Sequence, residues 1–124
     1  MSTLDSGSDA RTGDPSIPIA SDDTFDELVR SASRPVVVDF FATWCGPCQW
    51  ILPTLESIRD EYSDRVDVVK VDVDAAPRLA ERFRIASVPT VILFVGGEEV
   101  ERSIGVEPDR VKGMPARALA PDSP

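Results

Sequence analysis

Two stretches of the chain are apolar almost without interruption: Val36-Val37-Val38-Asp39-Phe40-Phe41 and Val91-Ile92-Leu93-Phe94-Val95. Such runs suit strands covered on both faces, because a strand with one open face alternates apolar and polar positions. Val66 to Val73 is rich in β-branched residues and reads as a further buried strand. Gly96-Gly97 is a hairpin signal following the strand Thr90 to Val95, and Val100 to Ile104 is the expected return strand. Ser16 to Ala20 places Ile17 and Ile19 about Pro18, and the proline limits it to a sheet edge.

Between these runs the period becomes helical. Phe25, Leu28, Val29 and Ala32 mark one face of a helix opened by Ser21, Asp22 and Asp23, with Thr24 and Glu27 at capping-box spacing. After Cys45, the residues Ile51, Leu55, Ile58 and Tyr62 share a face, with Leu52 alongside. Pro53 falls inside this helix and is expected to kink it, since it has no N–H for Gln49. Leu79, Ala80 and Phe83 mark a short helix opened by Asp74 and Pro77. Val111, Met114, Ala118 and Leu119 have amphipathic spacing, yet Gly113 and Pro115 interrupt them. Interior Gly and Pro cost about 1 and about 3 kcal/mol, so a broken or frayed last helix is expected.

The order β-α-β-α-β-α-β-β-(α) predicts an α/β domain with a central mixed sheet and helices on its faces. Residues 1–15 hold only Met1, Leu4 and Ala10 as apolar groups and read as a disordered acidic tail. The domain then covers residues 16–120, with a short C-terminal tail at 121–124.

Composition narrows the chemistry. The 124 residues carry 22 Asp and Glu against 13 Lys and Arg, a net charge of -9, with no basic patch. A surface of that sign repels phosphate backbones and anionic lipid, so neither nucleic acid nor membrane is expected as a partner. The chain has no histidine. That excludes a Ser-His-Asp triad, a Cys-His nucleophile pair and a His-ligated zinc. With no export signal in its first residues, a cytoplasmic location is expected.

Both cysteines lie in Trp44-Cys45-Gly46-Pro47-Cys48, between a buried strand and a helix start. Free N–H groups and the positive dipole end of a helix stabilise a thiolate there. Cys45 is expected to be exposed with a lowered pKa, and Cys48 to face inward. A two-residue spacer lets such a pair close a small disulfide or open to a dithiol. Half of a zinc site, a structural disulfide and an inactive remnant are the competing readings.

The segment Phe40 to Cys48 resembles the active site of the thioredoxin family, and the similarity runs from about Ser16 to about Val106. Asp39 matches the family's buried carboxylate, Pro53 its helix proline and Lys70 the lysine of the neighbouring strand. Ser87-Val88-Pro89-Thr90 is similar to its cis-proline loop, and Gly105 to the glycine beside its substrate groove. The resemblance implies a thioredoxin fold and a protein-disulfide oxidoreductase, with Cys45 attacking a client disulfide and Cys48 resolving it. Asp39 would then take the proton of Cys48, coupled to Lys70, while Trp44, Gly46, Pro47, Val88, Pro89 and Gly105 would meet the client. The Gly-Pro spacer goes with a reductant in that family, with no cofactor beyond the cysteine pair. Disulfide-bearing clients and a separate reductase would be the partners of a monomer. A binding subunit using the same groove, or a disulfide oxidase or isomerase, is the alternative. Phe41, where the family often has tryptophan, and Trp50 depart from its pattern.

Overall fold

The computed structural model describes residues 17–120; the two tails expected at 1–15 and 121–124 lie outside them. A four-stranded mixed sheet is built from β1 (Val36–Phe41), β2 (Asp67–Asp72), β3 (Thr90–Val95) and β4 (Glu98–Ile104). The strand order is β2-β1-β3-β4, with β1 parallel to β2 and the other neighbours antiparallel. Helix α1 (Leu52–Glu61) connects the parallel pair, α2 (Pro77–Arg82) leads towards β3, and α3 (Pro108–Leu119) closes the chain. β3 and β4 are joined through Gly96 and Gly97 at φ 62° and 82°. That pair of positive angles is what a tight hairpin demands and what residues with a Cβ resist.

The central strand explains the run of apolar residues. Val36, Val38 and Phe40 point to one face and pack with Phe25, Val29, Val71, Leu79, Ile92 and Phe94. Phe83 completes an aromatic cluster there, its ring centroid 5.3 Å from Phe25 and 5.2 Å from Phe94. Val37 points to the other face, among Ile51, Leu55, Ile58, Val91, Val111 and Met114. Strand alternation sends Asp39 to this second face as well.

Four local expectations are corrected. Ser16 to Ala20 is not a strand in the described part: Ile19 makes a single parallel bridge to Lys70. Pro18 has no N–H to continue the ladder, and only its carbonyl is used, accepting from Lys70 at 2.9 Å. The first helix shrinks to a π-helical turn, Asp26–Arg30, and of the expected capping groups Ser21 is used, paired with Thr24 in place of the Thr24–Glu27 box. Ser21 N–H donates to Thr24 Oγ1 at 2.9 Å and Thr24 N–H to Ser21 Oγ at 3.2 Å, so Glu27 takes no part in the cap.

Pro53 does not kink a continuous helix. Pro47–Ile51 is a 3₁₀ segment, and α1 begins at Leu52 with Pro53 in its first turn. Lacking the proline's N–H, Gln49 accepts instead from Leu52, which is the tighter 3₁₀ bond. Finally, α3 is unbroken through Gly113 and Pro115. Val111 and Met114 are fully buried, Pro115 is buried beside them, and Arg117 folds back to Glu101 and to the Arg110 carbonyl. Burying side chains of this size yields about 1.5–3 kcal/mol each, which offsets the helix breakers.

Candidate active site

β1 ends at Phe41, the chain turns through Ala42 to Gly46, and the 3₁₀ segment begins at Pro47. This places the two cysteines at the C-terminal end of the central strand, with Cα atoms 5.4 Å apart and the sulfurs joined in a disulfide. The backbone N–H of Cys48 points at Cys45 Sγ, 3.2 Å away. A donor so placed stabilises negative charge on that sulfur when the disulfide opens. Cys45 is 6% exposed, close to the 5% of Cys48, contrary to the expectation of an open first cysteine. Ala42, Phe41, Val73 and Val88 close around the pair.

Behind the disulfide a cavity of about 250 Å³ runs between Phe41, Ala42, Cys45, Cys48 and Leu52 to Asp39 and Lys70. Asp39 has no exposed surface, and neither of its carboxyl oxygens has a hydrogen-bond partner among the described residues. Burial pushes its pKa from 3.8 up to about 7, against the smaller opposing pull of the Lys70 ammonium. Lys70 lies opposite Asp39 in the β1–β2 register, with Nζ 4.4 Å from the centre of the Phe41 ring. Phe41 therefore serves as the seat of the lysine as well as part of the cavity wall.

In front of the disulfide, Val88-Pro89 is a cis peptide, and the Val88 carbonyl oxygen lies 3.7 Å from Cys45 Sγ. Thr90 Oγ1 donates to Ser87 O at 2.7 Å, and Gly105 N–H donates to Pro89 O at 2.8 Å. These bonds hold the loop against the end of β4. Gly105 has φ 90°, a conformation that a side chain would strain. Trp44, Val73 and Ile85 to Val88 line a second hollow of about 200 Å³ beside the cysteines. Gly46 and Pro47 are exposed on the turn itself.

Trp44 is 72% exposed, and its indole Nε1–H donates to Asp74 Oδ2 at 2.8 Å. Sequence reasoning missed Asp74 in this part, having used it only as a helix opener. The partner is thirty residues away in the chain and only the fold joins them. Asp74 is itself held by its N–H to Asp72 Oδ1, at 3.0 Å. Among the described residues no group of three or more acidic or cysteine side chains is disposed to hold a metal ion.

Three comparisons bear on this arrangement. The family model described as Thioredoxin matches residues 16–116. A thioredoxin of Chlamydia muridarum is 48% identical over 91 residues, 73% of this chain and 86% of that one. A bifunctional thioredoxin reductase/thioredoxin of Mycobacterium leprae is 46% identical over 87 residues, 70% of this chain. The chain spans only 19% of the length of that relative. Among solved structures, the thioredoxin of Malassezia sympodialis superposes with a TM-score of 0.77 at 34% identity, covering 85% of this chain and 92% of its own.

Proposed function

The chain belongs to the thioredoxin family, and from this we propose that it reduces disulfides in client proteins by dithiol–disulfide exchange through Cys45 and Cys48. The observation that carries the reading is the cysteine pair itself, at bonding distance with a backbone N–H aimed at the first sulfur. In the reduced protein, Cys45 thiolate attacks one sulfur of a client disulfide. A mixed disulfide forms and the other client sulfur leaves as a thiolate. Cys48 then attacks Cys45 Sγ, which releases the second client sulfur. Two electrons pass to the client, and the pair ends as the disulfide seen here.

The second step needs Cys48 as a thiolate. Asp39 accepts its proton across the cavity that both residues line. A carboxyl near 7 is suited to that exchange at neutral pH, being available as acceptor and as donor. Lys70 tunes this carboxyl by its charge and is a positioning residue. An extended client segment lies over Trp44, Gly46, Pro47, Val88 and Gly105, its backbone meeting the free groups of the cis-proline loop.

The oxidised pair is returned to the dithiol by a separate reductase; the fusion of the two activities in the mycobacterial relative supports such a partner. The protein acts as a monomer in the cytoplasm, where client thiols are kept reduced. Insulin reduction tests the core of this reading. Wild type precipitates the insulin B chain under dithiothreitol, and Cys45→Ser falls to the uncatalysed rate. A serine variant with wild-type turnover would overturn the assignment. Cys48→Ser should accumulate Cys45 mixed disulfides that mass spectrometry can read.

A further inference from the structure

The loop that faces the disulfide is fastened to the last strand at both ends. At its far end the Gly105 N–H, just past β4, holds the Pro89 carbonyl. At its near end a side chain of β4 takes hold: Arg102 Nη2–H donates to Phe83 O at 2.9 Å. Phe83 caps the C-terminus of α2, and residues 84–88 follow it directly. A carbonyl in that position has no helical N–H to meet, and a cation suits the negative end of the helix, so an arginine is a fitting donor.

The reach of Arg102 is built into the sheet. It stands opposite Ile92 in the β3–β4 register, and cross-strand partners share a face. That face is the one on which Ile92, Phe94 and Phe83 pack. Glu99 then fixes the guanidinium: Nε–H donates to Oε2 and Nη2–H to Oε1, both at 2.8 Å. Residues three apart on a regular strand point to opposite faces, so Glu99 and Arg102 would not ordinarily meet. β4 bulges between them. Glu99 is opposite Phe94 and Glu101 opposite Leu93, which leaves Val100 without a partner. The extra residue turns Glu99 to the face of Arg102. As a partly exposed ion pair the two add little to stability. Neither lines a hollow beside the disulfide, and the exchange chemistry uses neither.

We propose that Arg102, held in place by Glu99, is a positioning residue for client binding: it fixes the head of the loop 84–88, and with it the place of the Val88 backbone before Cys45. This rests on the reading of the site as a disulfide reductant, in which an extended client segment pairs with that loop. The Val88 carbonyl oxygen lies 3.7 Å from Cys45 Sγ, so a client strand laid along the loop brings its own sulfur to the nucleophile. A loop released at Phe83 holds the client less firmly, whereas a small disulfide with no strand to pair needs the sulfur alone.

The experiment mixes the reduced full chain, freed of dithiothreitol, with an excess of a short peptide closed by one disulfide or of hydroxyethyl disulfide. Loss of the Cys45 and Cys48 thiols is timed by quenching and alkylation. Arg102→Met, which keeps the length and loses every donor, should raise the peptide concentration for half-maximal rate about five-fold at an unchanged limiting rate. Its rate with hydroxyethyl disulfide should match wild type. Arg102→Lys can still donate to the carbonyl but cannot span it and Glu99 together, and should lie between Arg102→Met and wild type. Circular dichroism and a thermal melt check that the variants are folded at the assay temperature. A wild-type response to the peptide in Arg102→Met, or in Arg102→Lys should the first not fold, overturns the proposal, as does an equal loss on both disulfides. A wild-type protein that reduces neither disulfide overturns instead the reductant reading on which the proposal stands.

Discussion

Asp39 in β1 and the Gly113–Pro115 pair in α3 both break a local rule, one by burying a carboxyl and the other by placing helix breakers inside a helix. Their surroundings treat them differently. Around α3 the breach is offset: Val111 and Met114 fill the core between α1 and the sheet, and Arg117 lies over the bare Gly113 backbone to reach Glu101. Around Asp39 only the smaller pull of the Lys70 charge opposes it. Among the described residues its oxygens lack hydrogen-bond partners, and the cavity beside them opens to the disulfide instead of being filled. A compensated breach is a property of the fold, whereas one left uncompensated beside reactive sulfurs marks chemistry.

Removing the uncompensated group should have the largest effect on stability, and in the stabilising direction. The unfolded chain releases the Asp39 proton near pH 4, while the folded protein keeps it until about 7. Between those values the unfolded state binds fewer protons, so stability falls as pH rises and levels off above 7. At ~1.4 kcal/mol per unit the loss is of the order of 4 kcal/mol. Asp39→Asn should abolish that slope, so that urea melts at pH 8 show the variant more stable than wild type. Its resolution of mixed disulfides should be slower. Glu101, whose carboxyl Arg117 and Arg110 hold below the usual range, acts in the opposite sense and only in acid. Wild-type melts that coincide at pH 4.5 and pH 8 would place Asp39 with the compensated group.

The compensated side is tested at Met114. Truncating a fully buried methionine to Ala costs about 3 kcal/mol. Beyond that general loss, amide exchange in residues 116–119 should accelerate more than in β1, because core packing, aided by the Arg117 contacts to Glu101 and the Arg110 carbonyl, carries the helix past Pro115. Uniform exchange across both elements would show that α3 is held by something else.

The same contrast explains what the sequence made legible. β1 and β3 were readable because a strand buried on both faces has nothing but apolar positions to show, and the cysteine pair because its spacing carries its chemistry. α3 was misjudged because propensity speaks of isolated helices, while its support comes from Leu55, Ile58 and Val91, far away in the chain. The first helix was overestimated for the converse reason: its apolar spacing is real, but only Phe25 and Val29 are fully buried, and one π turn suffices to bury them. The near-burial of Cys45 depends on Val73 and Val88 arriving from other elements. Asp74 was visible as a residue and invisible as the partner of Trp44.

Arg84 offers the smallest and sharpest test. It ends α2 with φ 53°, and its N–H donates to Glu81 O while Ile85 N–H donates to Ala80 O. This bond pair is the left-handed helix terminus at which glycine is favoured, since a Cβ there costs about 1 kcal/mol. Arg84 is exposed, and among the described residues its guanidinium makes no ion pair that would offset the strain. It directly precedes Ile85 to Val88, the wall of the hollow beside Trp44. Like Asp39, it is thus an uncompensated breach close to the site. Arg84→Gly should raise the melting temperature by about 4 °C, the shift that ~1 kcal/mol produces in a domain of this size. A variant that melts lower than wild type would mean that the arginine side chain repays its own backbone, which moves Arg84 to the side of α3.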